Sequence, residues 1–359
     1  MSADRKVKIL EISSYPPPRA GWGVRITFVR KFLQMAGHEC QVLNIGQSRK
    51  IKSADYLDVQ SGSDYFKKVW RHVRGGYLIH THLNGDSEKG LVLAIIAEAL
   101  ALCFGRRSVL TFHAGPIQRL FPKEKSRFMA PFFALAFALP KTIICNNAAV
   151  KEKILSYNVP AKKIVAIPAF SVQYLDSVPS VLPDALEDFI AAHRPLIASY
   201  FFLRAEFFVH SMLKAIKQLT PSLPDLGLVL IGGDTQNEAV LDLVAQAGLS
   251  KYVYSAGDLD HDAFMTLMAK ADFYLRTPQK DGVCSSVLEA LTLKTPVVAS
   301  RNGSRPESVV NYETDNADDL AEKLQDAWTQ YDQLVSDLVV PEVKDTVKEE
   351  AALLVHHAR

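Results

Sequence analysis

Two carboxylates eight residues apart, Asp281 and Glu289, enclose Gly282 and the adjacent hydroxyls Ser285 and Ser286 in the stretch RTPQKDGVCSSVLEALTLKTPVVAS, residues 276–300. A strand pattern, DFYLRT, runs into this stretch, and a helical pattern begins at its serines. A helix that starts after a strand offers unsatisfied backbone N–H groups and the positive end of its dipole, a setting suited to a diphosphate. Arg276, at the strand end, adds a cation whose fork can grip phosphate oxygens with two donors. Carboxylates repel phosphate, so Asp281 and Glu289 suit another task, accepting hydrogen bonds from sugar or ribose hydroxyls. A structural reading stands beside this one: Ser286-Val-Leu-Glu289 fits a capping box, the serine capping the third amide and the glutamate reaching back.

What could position such a cluster follows from the whole chain. Its 359 residues exceed one ordinary core, so two domains are expected. A composition 48% hydrophobic and 22% charged is globular, and a net charge of +2 gives no global pull toward nucleic acid. The four cysteines are scattered without a C-x-x-C pair, which favours a reducing compartment and neither zinc nor a disulfide framework. MSADRKVKILEIS runs straight from charged residues into a strand pattern, so no signal peptide is expected. The longest clean apolar run, residues 128–140, is too short to span a bilayer, and Glu98 interrupts the apolar residues 90–104, which read as a buried helix.

Short β-rich segments (VKILEIS, CQVLNI, YLIHTH, RSVLTFH, KTIICN, KKIVAIP) alternate with helical patterns at 25–37, 63–74, 88–104, 127–138 and 147–157. Such alternation predicts parallel strands joined by crossover helices. The rhythm breaks at 169–194, where prolines accompany one short helix pattern, LEDFIAAHR, and it restarts with PLIASYFF, LGLVLIGGD, YVYSAG, DFYLRT and PVVAS. The expected layout is an N-terminal domain 1–170, a linker or hinge 171–194, a C-terminal domain 195–340 and a helical tail 341–359. Two α/β domains in tandem would set the C-terminal strand edges of both sheets around one cleft, the place where open sheets bind ligands.

The paired acids, the following Ala290-Leu291 and the strand entry Thr295-Pro296-Val297-Val298-Ala299-Ser300 resemble, in order and spacing, the signature of retaining glycosyltransferases of family 4. The chain belongs by this resemblance to a subgroup with Asp-Gly at the first acid, preceded by Arg276-Thr277 and followed by a loop like RNGSRPESV with Arg305-Pro306. The resemblance implies the GT-B fold, two Rossmann-like doubly wound domains facing across a cleft. It also implies an enzyme that moves a sugar from a nucleotide diphosphate, UDP by family frequency, to a hydroxyl with retention of configuration. Asp281 would contact the donor sugar and Glu289 the ribose hydroxyls. SSYPPPRAGWGVR resembles the family's first loop, in which Gly21 and Gly23 let the backbone approach the donor phosphates. MAGHECQVL resembles a structural strand entry, and LTFHAG resembles the loop whose histidine, here His113, meets the donor sugar. Of the two histidines in YLIHTH, one alternates inward to the core, and His82, at the strand end, is a candidate for the acceptor side or a structural residue.

One departure concerns the phosphate clamp. Where the family carries an Arg and a Lys, SYFFLRAEFFVHSML has Phe202 and Phe207, leaving Arg204, Arg276 and Arg305 as candidate phosphate ligands, with Arg204 placed among the catalytic residues. Lys294 stands where a glycine is usual, in a position that would adopt a left-handed turn. No metal and no separate cofactor is expected, a phosphate oxygen can take the acceptor's proton, and Asp258-Leu-Asp260 reads as a helix cap. The basic, partly apolar segments DYFKKVWRHVR and RLFPKEKSRFMAPFFALAFALP fit either packing on a sheet or peripheral contact with an anionic membrane. The expected partners are therefore a nucleotide-sugar donor and a saccharide or lipid-linked saccharide, at the cytoplasmic face of a bacterial membrane, in lipopolysaccharide or exopolysaccharide synthesis. Two alternatives stand: a GT-B protein that binds nucleotide sugar with weak or no catalysis, and another Rossmann enzyme such as a dehydrogenase, which lacks its G-x-G-x-x-G here.

Overall fold

The computed structural model describes residues 6–16, 21–115, 118–279, 284–302 and 305–359. They form two compact units, Met1–Gln173 with Lys344–Arg359, and Tyr174–Val343. The first holds a parallel sheet of β1 (Lys8–Ser13), β2 (Glu39–Asn44), β3 (Leu78–Leu83), β4 (Val109–Phe112), β5 (Thr142–Cys145) and β6 (Ile164–Ala166), in the order β2-β1-β3-β4-β5-β6. Helices α1 (Gly21–Met35), α2 (Gly62–Arg74), α3 (Glu88–Cys103), α4 (Ala130–Ala138) and α5 (Ala148–Leu155) connect the strands. Both faces of β3, β4 and β5 are buried throughout, as a sheet covered by helices on either side requires. Polar caps fix where the helices begin: Ser61 accepts from the Asp64 amide, Ser87 from Gly90 and Asn147 from Val150. Gly37, at φ 83°, stops α1 as its position predicts.

The second unit repeats the plan with β7 (Leu196–Tyr200), β8 (Gly227–Ile231), β9 (Val253–Gly257), β10 (Phe273–Arg276), β11 (Val297–Ser300) and β12 (Val310–Tyr312), ordered β12-β11-β10-β7-β8-β9 and all parallel. Its helices are α6 (Asp184–Ala192), α7 (Val209–Leu219), α8 (Glu238–Gln246), α9 (His261–Lys270), α10 (Ser285–Thr292), α11 (Ala317–Thr329) and α12 (Tyr331–Asp337). In both sheets the chain starts inside, builds to one side, then crosses to the other. This puts a topological switch point between β1 and β3 in the first and between β7 and β10 in the second.

Two expected boundaries are corrected. The segment read as a linker, 171–194, largely belongs to the second unit: Leu182 and Leu186 are fully buried in its core, with Phe189 and Ile190 packed against them. The tail, helix α13 (Thr346–Ala358), completes the first unit. Its Val347, Ala351 and Leu354 pack with Val7, Ile9, Val29 and Leu33, an apolar stripe that only long-range contact accounts for.

Candidate active site

The second unit's cluster forms at its switch point. Arg276 ends β10 beside Tyr200, which ends β7, and its Nη1 donates to the Tyr200 carbonyl at 3.1 Å. The same guanidinium lies 5.2 Å over the ring of Phe207, and that of Arg204 lies 5.0 Å over Phe202. The two phenylalanines found where cations were expected are thus platforms for cations, a contact stronger for buried Arg276 than for exposed Arg204. Arg305 ties the loops after β10 and β11 together, Nη2 donating to the Pro278 carbonyl at 2.8 Å and Nε to that of Ser300 at 3.2 Å. Asp281 and Gly282 lie outside the described residues.

Helix α10 opens at Ser285, with Cys284 at its N-cap and no side-chain cap. The capping box read from Ser286 and Glu289 is not made. Ser286 sits one residue inside the helix, and its hydroxyl pairs with the Tyr274 hydroxyl at 2.6 Å. Glu289 instead turns inward, 4% exposed, with an oxygen 3.3 Å from His261 Nε2. His261 was not among the candidates. Its signal lay in the preceding Asp-Leu-Asp, since Asp260 caps α9 through the Ala263 amide at 2.8 Å and so sets His261 as the first residue of the helix.

The first unit gathers a different cluster at its own switch point. Glu11 on β1 is in register with His80 on β3. His80 and His82 both face it, because residues two apart on a strand share a face; the expectation that only one points inward is corrected. One Glu11 oxygen lies 2.7 Å from His82 Nε2 and 2.7 Å from His80 Nδ1, the second contact off the line of a hydrogen bond and therefore ionic. His80 Nε2 meets the Thr111 hydroxyl at 2.8 Å, and His82 Nδ1 meets His113 Nε2 at 2.8 Å. Trp22, in the first turn of α1 between Gly21 and Gly23, sets its ring edgewise to His113 at 5.3 Å.

Proton logic orders this chain. Burial opposes the Glu11 charge, but the two imidazoles outweigh it and hold the carboxyl down at about 2. Burial also opposes charge on His80; the carboxylates of Glu11 and Glu350 overcome that and raise it. For His82 and His113, burial leads and the neighbouring imidazole adds to it, so both are held neutral. A carboxylate only accepts, so His82 carries its proton on Nε2, and its bare Nδ1 accepts from His113 Nε2–H. His113 is left with Nδ1 as an acceptor, able to take a hydrogen bond from a hydroxyl. Glu11, His80 and His82 have metal-ligand chemistry. Their 2.7 Å spacings to one Glu11 oxygen, one a hydrogen bond and one an ionic contact, are closer than the roughly 3.3 Å that donors about 2.0–2.2 Å from one tetrahedral ion would keep.

Residues 190–336, within the second unit, match the model of the family described as Glycosyl transferases group 1. Glycogen synthase of Mycobacterium tuberculosis, in two strains, is 28% identical over 106 residues, which are 30% of this chain and 26% of that protein. The chain thus spans about a quarter of the length of the curated relatives it matches. Among solved structures, Anabaena HepE in complex with UDP-glucose superposes with a TM-score of 0.68 at 16% identity, covering 97% of this chain and 96% of that one. Staphylococcus aureus MnaA with UDP gives 0.68 at 14%, over 96% and 95%. Sucrose-phosphate synthase from Thermosynechococcus elongatus gives 0.65 at 16%, over 98% and 96%. At such identities the likeness establishes the fold, GT-B with two parallel α/β units.

Proposed function

We propose that the protein is a retaining glycosyltransferase that moves a sugar from a nucleotide diphosphate, UDP, to a saccharide or lipid-linked saccharide of a bacterial surface polysaccharide. One observation carries the reading: Glu289 is buried one turn into the uncapped helix α10, inside the matched region, and is steadied by His261. In this reading the first amides of α10, with Arg276, Arg305 and Arg204, hold the diphosphate, Glu289 accepts from the ribose hydroxyls, and Asp281 meets the donor sugar. Gly21 and Gly23 are the positions at which the backbone would meet the donor phosphates, and His113 offers Nδ1 to a sugar hydroxyl. The bond from the anomeric carbon to the diphosphate breaks with its electron pair on phosphate. The acceptor oxygen forms the new bond, and its proton passes to a phosphate oxygen. The cations and amides stabilise the charge that grows on the leaving group. UDP and UDP-glucose in the neighbours MnaA and HepE support the donor.

The alternative, binding without transfer, draws on Phe202 and Phe207 in the clamp positions, and one experiment separates the two. UDP-sugars are supplied with a membrane extract as acceptor, and transfer and UDP binding are both measured for the wild type and Glu289→Ala. The variant is expected to lose transfer and to bind UDP roughly tenfold or more weakly. Transfer that survives the change removes Glu289 from the site, and tight UDP binding without wild-type transfer selects the alternative.

For the membrane, the basic residues Lys123, Lys125 and Arg127 precede Phe128 and, on α4, Phe132 and Leu135, all three of which stay exposed. Among the described residues no helix is long and apolar enough to cross a bilayer, so peripheral contact is the mode proposed. Anionic vesicles should sediment the protein at low salt, and Phe128→Ser with Phe132→Ser should release it; sedimentation indifferent to lipid charge counts against this face.

A further inference from the structure

The first unit holds a cavity of about 550 Å³ that the donor chemistry leaves unused. It lies at the C-terminal ends of β1, β2 and β3, where Ser14, Gly46 and Asn84 follow the strands, and therefore beside the switch point of that sheet. His82 lines it from below, so the wall of the cavity is hydrogen-bonded to His113. Arg49, Lys50 and Lys89 stand around it, and no carboxylate is among its lining residues. Acids do lie in the neighbouring segments: Asp58 and Asp64 pair with Lys68 at 3.1 and 2.9 Å, Glu88 with Arg119 at 3.6 Å, and Asp86 accepts from the Arg119 amide at 2.7 Å. Among the described residues no carboxylate comes within ion-pair distance of Arg49, Lys50 or Lys89. Three cations without a carboxylate partner around one concave space, with no acid among its lining residues, are arranged for an anion.

We infer that this cavity takes the acceptor, and that the acceptor carries an anionic group, a phosphate or a sugar carboxylate, held by Lys50, Lys89 and Arg49. The inference rests on the transferase reading and narrows its acceptor to acidic saccharides or glycosyl phosphates. A cavity of this volume accommodates one or two sugar rings. With the anion fixed at the basic rim, the saccharide lies along the wall that His82 and Trp22 form.

The test uses the full chain with UDP present in excess, so that the donor's phosphate site is filled. Binding of glucose 1-phosphate, glucuronic acid and glucose is followed by ligand-observed NMR, at low and moderate salt, for the wild type, Lys50→Gln/Lys89→Gln and Lys50→Arg/Lys89→Arg. At least one anionic probe is expected to bind, weakened by salt, about tenfold weaker in the glutamine variant and restored in the arginine variant, while glucose does not bind measurably. Glucose 1-phosphate alone binding identifies a phosphate, and glucuronic acid alone a carboxylate. Equal binding of glucose, binding that survives in the glutamine variant, or no binding by any probe overturns the inference. UDP titration of the same samples is read separately: failure of UDP to bind removes the transferase reading, while loss of the anionic probes with UDP bound removes only this one.

Discussion

Lys294 holds a left-handed backbone, φ 62°, immediately after α10. The turn is a helix stop in which the Thr295 amide reaches the Ala290 carbonyl at 2.9 Å and the Lys294 amide that of Leu291 at 3.1 Å. A side chain with a Cβ adopts this conformation at a cost of roughly 1–2 kcal/mol, partly offset by the greater chain freedom glycine has when unfolded. Lys294→Gly should therefore stabilise the protein by up to about 1 kcal/mol, read as a rise in urea midpoint with unchanged slope; a fall in midpoint would mean the lysine side chain matters more than its backbone. This position was legible in the sequence because backbone demand is local. Glu289 was legible by type and spacing but not by contact. Its partner, His261, comes from another helix, and the serine that fits a capping box is drawn off by Tyr274. The histidines of β3 show the same limit. Strand periodicity places His80 and His82 on one face, yet what makes both buried is Glu11, a partner 69 and 71 residues away.

At the scale of elements, the contact between α3 and β3 carries a pH dependence of its own. Glu98 interrupts an otherwise apolar helix and is 1% exposed in the structure, accepting from the Thr81 hydroxyl at 2.7 Å. Burial raises its pKa to about 8, against the smaller opposing effects of that hydrogen bond and of the Lys163 charge. Between the unfolded value near 4.5 and the folded value near 8, the folded protein holds a proton that the unfolded chain releases. Stability from this group is thus present at acid pH and declines as pH rises, by up to ~1.4 kcal/mol per unit. Glu98→Gln mimics the protonated acid and removes the dependence. The stability of the wild type relative to the variant should fall between pH 5.5 and 7.5 in urea unfolding; a flat difference would show that Glu98 ionises normally. The helix itself was readable from its apolar letters, and its burial follows from them. The single acid marked it as a core helix rather than a membrane span, but the strand hydroxyl that makes the acid tolerable was not readable from the helix.

For the molecule as a whole, the order of chain and space differ. Alternating periodicity was enough to foresee two parallel α/β units, since each βαβ step is a local pattern. It could not foresee that the last helix, α13, returns across the entire second unit in sequence to finish the first. Arg25 on α1 is 3% exposed and its Nε meets Glu350 at 2.5 Å, while its other donors reach the Ala169 carbonyl at 2.7 Å and the Thr346 hydroxyl and carbonyl at 3.1 Å. Glu350 also lies 3.9 Å from His80, so the helix joins the histidine cluster to the core. The first unit is therefore incomplete until the chain's last residues are in place. Removing one member of this pair leaves the other charged and buried, which typically costs about 3–5 kcal/mol, whereas replacing both with apolar groups of similar volume is often close to neutral. Glu350→Leu should lower unfolding free energy by that amount, and Arg25→Met/Glu350→Leu should recover most of it. The network adds a distinction: Glu350→Leu withdraws the carboxylate that helps keep His80 charged and leaves the Arg25 charge that opposes it, so its deficit should be largest at pH values below the raised His80 pKa, whereas the double variant withdraws both charges and should show less of this pH dependence. A Glu350→Leu protein with wild-type stability would show that α13 is an appendage, and that the first unit folds without it.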